Sequence, residues 1–113
     1  ARAGADLAGA VSFHGNLDTP LPATAGAIKA RLLVLHGAAD PYVPPAQVEA
    51  FGQEMDAAGA DWQMVSYGHA VHSFTNPAAG DDPARGAAYD ARAAARSWAT
   101  MLAFFGEVLA AGP

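Results

Sequence analysis

The chain has 113 residues, 52% hydrophobic and 15% charged, with a formal net charge of −5, which fits one self-burying domain or less and excludes disordered and fibrous classes. Its five arginines and one lysine form no basic stripe against eleven acids, which argues against a nucleic-acid partner. Without cysteine there is neither a disulfide framework nor a thiolate metal site.

In chain order, Ala1 to Asp6 has the character of the last turn of a helix with no start signal, so the sequence is expected to begin mid-domain. Ala8 to His14 (AGAVSFH), with Val11 and Phe13 as β-formers and His14-Gly15-Asn16 closing it, predicts a buried strand. Asn16 to Ala27 contains Pro20, Pro22 and Gly26 and predicts a connecting loop. Arg31 to His36 (RLLVLH) is a nearly continuous Leu/Val run before Gly37, the pattern of a central parallel strand covered on both faces. Val48, Phe51, Met55 and Ala58 recur at helical spacing behind Pro44-Pro45, predicting a helix over Pro45 to Ala58 that Gly59 stops.

Asp61 to Tyr67 (DWQMVSY) alternates and predicts a third strand closed by Gly68. Asn76 to Gly86 is rich in proline, glycine and aspartate, so a mobile loop with no regular structure is expected. Ala87 to Leu109 predicts a long amphipathic helix on the spacing of Trp98, Leu102, Phe105 and Leu109, with Trp98, Phe104 and Phe105 expected in the core. Connections too long for hairpins favour an α/β fold of three parallel strands with covering helices and right-handed crossovers. No apolar run approaches the roughly 20 residues of a membrane span, and no leader-like segment opens the sequence, so no membrane is expected and the cytoplasm is the default compartment.

Two predicted strand ends carry the chemistry: Leu35-His36-Gly37-Ala38-Ala39-Asp40-Pro41-Tyr42 and Tyr67-Gly68-His69-Ala70-Val71-His72-Ser73-Phe74. In open parallel sheets, ligands bind beyond the carboxyl ends of strands, where loops and helix starts converge. An imidazole acting as a base needs a fixed tautomer, which a carboxylate supplies by accepting the hydrogen bond of its other ring nitrogen. Asp40 and His72 are the candidate pair, separated by one helix and one strand. Asp40 also fits a turn or cap carboxylate, His69 competes for the place of the base, and His14 and His36 with His69 and His72 admit a weak metal reading.

The stretches Val34 to Pro45 (VLHGAADPYVPP) and Trp62 to Pro77 (WQMVSYGHAVHSFTNP) resemble the dienelactone hydrolase family. The likeness extends to Ala8 to Thr19 (AGAVSFHGNLDT) and to Ala87 to Phe105, covering nearly the whole chain. The resemblance implies the C-terminal part of an α/β-hydrolase fold over residues 1–113, with Asp40 as triad acid and His72 as base. It implies cleavage of a small ester or lactone through an acyl-enzyme, with no cofactor. Tyr42 and Phe74 flank the pair as possible pocket walls.

The family's nucleophile, a Cys or Ser in a G-x-[CS]-x-G turn, has no counterpart here, and Ser12, Ser66, Ser73 and Ser97 lack that setting. It would lie upstream of Ala1, so this chain by itself is expected to be inert. The alternative is a hydrolase-like piece kept for binding or assembly. Three parallel strands would leave an edge unpaired, so the isolated chain is expected either to be a piece of a longer reading frame or to dimerise through that edge.

Overall fold

The computed structural model describes residues 1–110. Strands β1 (Gly9–Phe13), β2 (Arg31–Gly37) and β3 (Trp62–Tyr67) form one parallel sheet in the order β1-β2-β3. Helix α1 (Pro45–Ala58) connects β2 to β3, and α2 (Ala91–Ala110) follows the long segment after β3.

The apolar run of β2 has a reason in this arrangement. As the middle strand it is paired on both sides, with Leu33 between Val11 and Gln63 and Leu35 between Phe13 and Val65, so both its faces must be covered. Leu33 and Leu35 face one core with Tyr67, Phe74 and, from α2, Ala93, Phe104 and Val108. Leu32 and Val34 face the other with Val43 and, from α1, Phe51 and Met55. The ends of α1 match its sequence signals: proline stands in its first turn, and Gly59 takes the left-handed conformation (φ 71°) while its N–H bonds to the carbonyls of Asp56 and Met55.

Four expectations are corrected. Ala1 to Asp6 is a turn rather than a helix end, with the Gly4 N–H bonded to the Ala1 carbonyl at 3.0 Å. What fixes this segment is tertiary: the Arg2 guanidinium pairs with Glu54 of α1 at 2.8 Å. The segment from Asn76 to Gly86 is not structureless either, because it holds two 3-10 turns, Pro77–Ala79 and Pro83–Arg85. Each begins with proline, and the Asn76 and Asp82 side chains accept from the amides of Ala78 and Ala84 at 3.0 and 3.1 Å. Its backbone is tied down as well, with the Tyr89 N–H on the Gly80 carbonyl at 2.7 Å, so the expected mobile loop is a hydrogen-bonded strap.

The last helix starts at Ala91 instead of Ala87, since Asp90 caps it by accepting from the Ala93 N–H at 3.0 Å. Its buried side is Ala93, Ser97, Phe104 and Val108, whereas Trp98, Leu102 and Leu109 are 57%, 56% and 70% exposed. Small residues let the helix lie close on the sheet, which turns the larger apolar stripe toward the side. There the Trp98 ring lies 6.5 Å from that of Phe13 on the edge strand β1. Among the described residues, no helix is long and apolar enough to cross a membrane.

These two faces of α2 and the covered middle strand predict unequal mutational costs. Leu35→Ala, at a fully buried position, is expected to cost about 2–5 kcal/mol in urea unfolding. Leu102→Ala on the exposed stripe should stay within about 0.5 kcal/mol. Equal losses would contradict the assignment of the faces.

Candidate active site

The site lies where the C-terminal ends of β2 and β3 meet. Beyond β2 the chain turns at once: the Ala38 N–H bonds to the Tyr67 carbonyl at 2.9 Å, the Ala39 N–H to the Ala70 carbonyl at 2.9 Å, and the Asp40 N–H to the Gly37 carbonyl at 3.0 Å. This places the Asp40 loop directly on the loop after β3. Gly37 is what allows it, because a Cβ there would sit 2.8 Å from the carbonyl oxygens of both Ala70 and Val71.

Asp40 and His72, separated by 32 residues, come together at this junction: Asp40 Oδ2 accepts from His72 Nδ1 at 2.8 Å. Its other oxygen, Oδ1, accepts from the Tyr42 N–H at 2.8 Å. The Asp40 side chain is fully buried and that of His72 is 28% exposed, so the carboxylate is held dry by two donors while the ring keeps one side open. Among the described residues, His72 Nε2 has no hydrogen-bond partner. The backbone of His72 is clamped on both sides, its N–H on the Gly86 carbonyl at 3.1 Å and its carbonyl on the Ala88 N–H at 3.0 Å. A carboxylate on Nδ1 fixes the tautomer in which Nε2 carries the lone pair, the arrangement required of a general base.

The two proposed pocket residues fall in different places. Tyr42 is 57% exposed and its ring stands edge-on to the His72 ring, with centroids 5.2 Å apart. Phe74 has no exposed surface: it is core, packed under the site against Tyr67 and His14 at ring distances of 5.6 and 5.1 Å. Of the competing histidines, His69 is exposed and joins neither member of the pair. His36 is buried on β2, and that burial holds its pKa below the ordinary value despite the opposing pull of Asp40.

His14 is the residue whose place the sequence did not reveal. It follows the last residue of β1, its ring lies 5.8 Å from that of His72, and its Nε2 is 2.7 Å from the Thr75 hydroxyl. Burial, and then the charge of His72, keep its pKa below the ordinary value. Among the described residues, no three His, Asp or Glu side chains are grouped so as to hold a metal ion. The four serines offer no strand-to-helix elbow: Ser12 and Ser66 lie within strands, Ser97 is fully buried with its hydroxyl on the Ala94 carbonyl, and Ser73 sits in the His72 loop.

A sequence model of the dienelactone hydrolase family matches residues 1–109. The chain belongs to the dienelactone hydrolase family. It is 41% identical over 106 residues to an uncharacterized protein of Caenorhabditis elegans, covering 88% of this chain and 64% of that protein. A dienelactone hydrolase-like promiscuous phosphotriesterase from metagenomic libraries superposes with a TM-score of 0.86 at 45% identity, over 95% of this chain and 45% of its own. A Klebsiella pneumoniae protein provisionally assigned as a dienelactone hydrolase gives a TM-score of 0.73 at 28% identity, over 92% of this chain and 45% of its own. The three-stranded parallel sheet with its helices is thus the part of the family's α/β fold present here. The chain spans less than two thirds of these relatives.

The depressed histidines make stability depend on pH in a defined direction. His14 and His36 hold their protons less tightly in the folded chain than at their ordinary value of 6.5, so protons favour the unfolded state. The stabilisation is full above 6.5 and is lost as pH falls through the lowered folded values, whereas Glu54, held down first by its hydrogen bond from Arg2, contributes its loss only below 4.5. The melting temperature should therefore fall on moderate acidification, and His36→Gln should make that fall shallower; an identical slope would remove His36 from the account.

Proposed function

We propose that this chain supplies the acid and base of a catalytic triad in an enzyme that hydrolyses a small carboxylic ester or lactone. The observation that carries the reading is the 2.8 Å contact between His72 Nδ1 and a fully buried Asp40 at the C-terminal edge of a parallel sheet. The nucleophile, a Cys or Ser, comes from a segment N-terminal to Ala1. The spans of the solved relatives support this, since this chain matches only 45% of each.

In this mechanism His72 Nε2 takes the proton of the nucleophile as it attacks the ester carbonyl, and Asp40 steadies the resulting imidazolium. The collapsing tetrahedral intermediate receives that proton on its leaving oxygen, giving an acyl-enzyme and the alcohol. Water, deprotonated at the same Nε2, then attacks the acyl carbonyl, the bond to the nucleophile breaks, and the proton returns from Nε2 to the nucleophile as the acid leaves. The oxyanion is held by backbone N–H groups of the nucleophile's own turn and an earlier loop, so this chain by itself turns nothing over. Tyr42, exposed beside the ring, lines the substrate's approach.

The test is complementation with a nucleophile-bearing N-terminal segment of a family member, followed by hydrolysis of a chromogenic ester. Asp40→Asn and His72→Ala are expected to lower kcat by on the order of 10³-fold or more, and this chain without the segment to match the buffer rate. Undiminished turnover in either variant would overturn the assignment.

A second reading, a module kept for assembly, is favoured by one observation: β1 is a sheet edge, only half-buried along its length, beside the exposed Trp98. Self-association through this edge is expected of the isolated chain, and a monodisperse monomer in light scattering would contradict it.

A further inference from the structure

We propose that His14 is a positioning residue for His72, holding the loop that carries the base through a hydrogen bond to Thr75 and closing one flank of the imidazole; this rests on the triad reading. His14 directly follows β1, an element that contributes neither Asp40 nor His72. Its own N–H is bonded to the Leu35 carbonyl at 2.8 Å, which fixes the end of β1 to β2. From that anchor its Nε2 reaches Thr75 Oγ1, 61 residues further along the chain, at 2.7 Å.

Backbone strain points to the same place. Among the described residues, the non-glycine positions with positive φ are His14 (41°), His69 (67°) and Ser73 (59°). Such conformations are strained for a residue with a side chain and persist only where the surroundings enforce them. His69 and Ser73 bend the chain on either side of the segment bearing His72, and His14 is the strained residue across from them. Beyond Ser73, Phe74 is locked in the core and Thr75 is held by His14, so the base is approached by a segment fixed at two successive residues.

The rings complete the picture. His72 stands between Tyr42 at 5.2 Å and His14 at 5.8 Å, with interplanar angles of 71° and 66°. Two edge-on neighbours resist rotation of the imidazole about its own axis, the motion that would exchange Nδ1 for another atom in front of Asp40. His14 must be neutral to serve there, since a second cation would oppose the imidazolium that forms on His72. Its burial, and then the charge of His72, lower its pKa and favour that neutral form, against a backbone hydrogen bond and the weaker pull of Asp40.

Nitrogen NMR of histidine-labelled chain at mildly alkaline pH reads the His72 tautomer directly. In the wild type His72 should show a single form protonated at Nδ1. Thr75→Val removes the hydroxyl at nearly constant shape, and His14→Asn keeps a residue type tolerant of the left-handed backbone. In both, with far-ultraviolet circular dichroism unchanged, the Nε2-protonated form is expected to rise to roughly a tenth or more. Asp40→Asn should shift the tautomer further. A folded Thr75→Val or His14→Asn chain with the wild-type ring spectrum overturns the proposal, leaving the triad intact where Asp40→Asn still shifts it. No response in any of the three overturns the triad reading as well.

Discussion

Everything at the site depends on how closely the end of β2 approaches the loop that follows β3. A Cβ on Gly37 would meet the carbonyl oxygens of Ala70 and Val71 at 2.8 Å, leaving no room for a side chain, and the amides of Ala38 and Ala39 bond to the carbonyls of Tyr67 and Ala70 across the same seam. These contacts are between backbones, so the distance between the two loops is set by chain geometry and not by flexible side chains. The short side chain of Asp40 can then span to His72 and still be buried completely. A wider seam would admit water to the carboxylate, weaken its hold on Nδ1, and free the imidazole to choose its tautomer.

The strap between β3 and α2 is the second support of that seam. Its last part runs beside His72 as a parallel bridge at Ala87, and Gly86, in a left-handed turn (φ 84°), lies so near the Asp40 loop that a Cβ would meet the Pro41 ring at 2.9 Å. The Asp40 loop, the His72 loop and the strap therefore brace one another. Asp90 links this assembly to the helix, because its N–H is bonded to the Phe74 carbonyl while its carboxylate caps α2. The prolines and aspartates that make the strap irregular in sequence are thus what let it follow the outline of the site.

How much of this was legible in the sequence follows from the range of the interactions involved. β2, α1 and β3 are written in local signals: an unbroken apolar run, a proline start with a glycine stop, and alternation. Asp40 and His72 were legible because their surrounding motifs resemble a family, and the structure brings the two side chains together. The buried face of α2 was not, because size and hydrophobicity single out Trp98, Leu102 and Leu109, while packing distance from the sheet selects Ala93 and Ser97. His14 was hidden for a related reason: its partners Thr75 and His72 are remote in sequence, and no local pattern distinguishes a strand-end histidine that braces a loop from one that merely ends a strand.

The same geometry explains why the Asp40–His72 contact can form in a chain that spans less than half of its solved relatives. β2 leads into the Asp40 loop and, among the described residues, is the one strand with neighbours on both sides, so that loop is fixed by contacts that all lie within these residues. β1 is different: half-buried throughout, it has one paired edge, with exposed Trp98 beside it. On the proposed reading, the nucleophile has to be delivered past this less completed side. His14 stands at the end of β1, between the open edge and the base. A residue there is placed to keep the His72 ring in register whatever strand β1 later meets, which is the physical reason for anchoring it both to β2 through its backbone and to Thr75 through its ring.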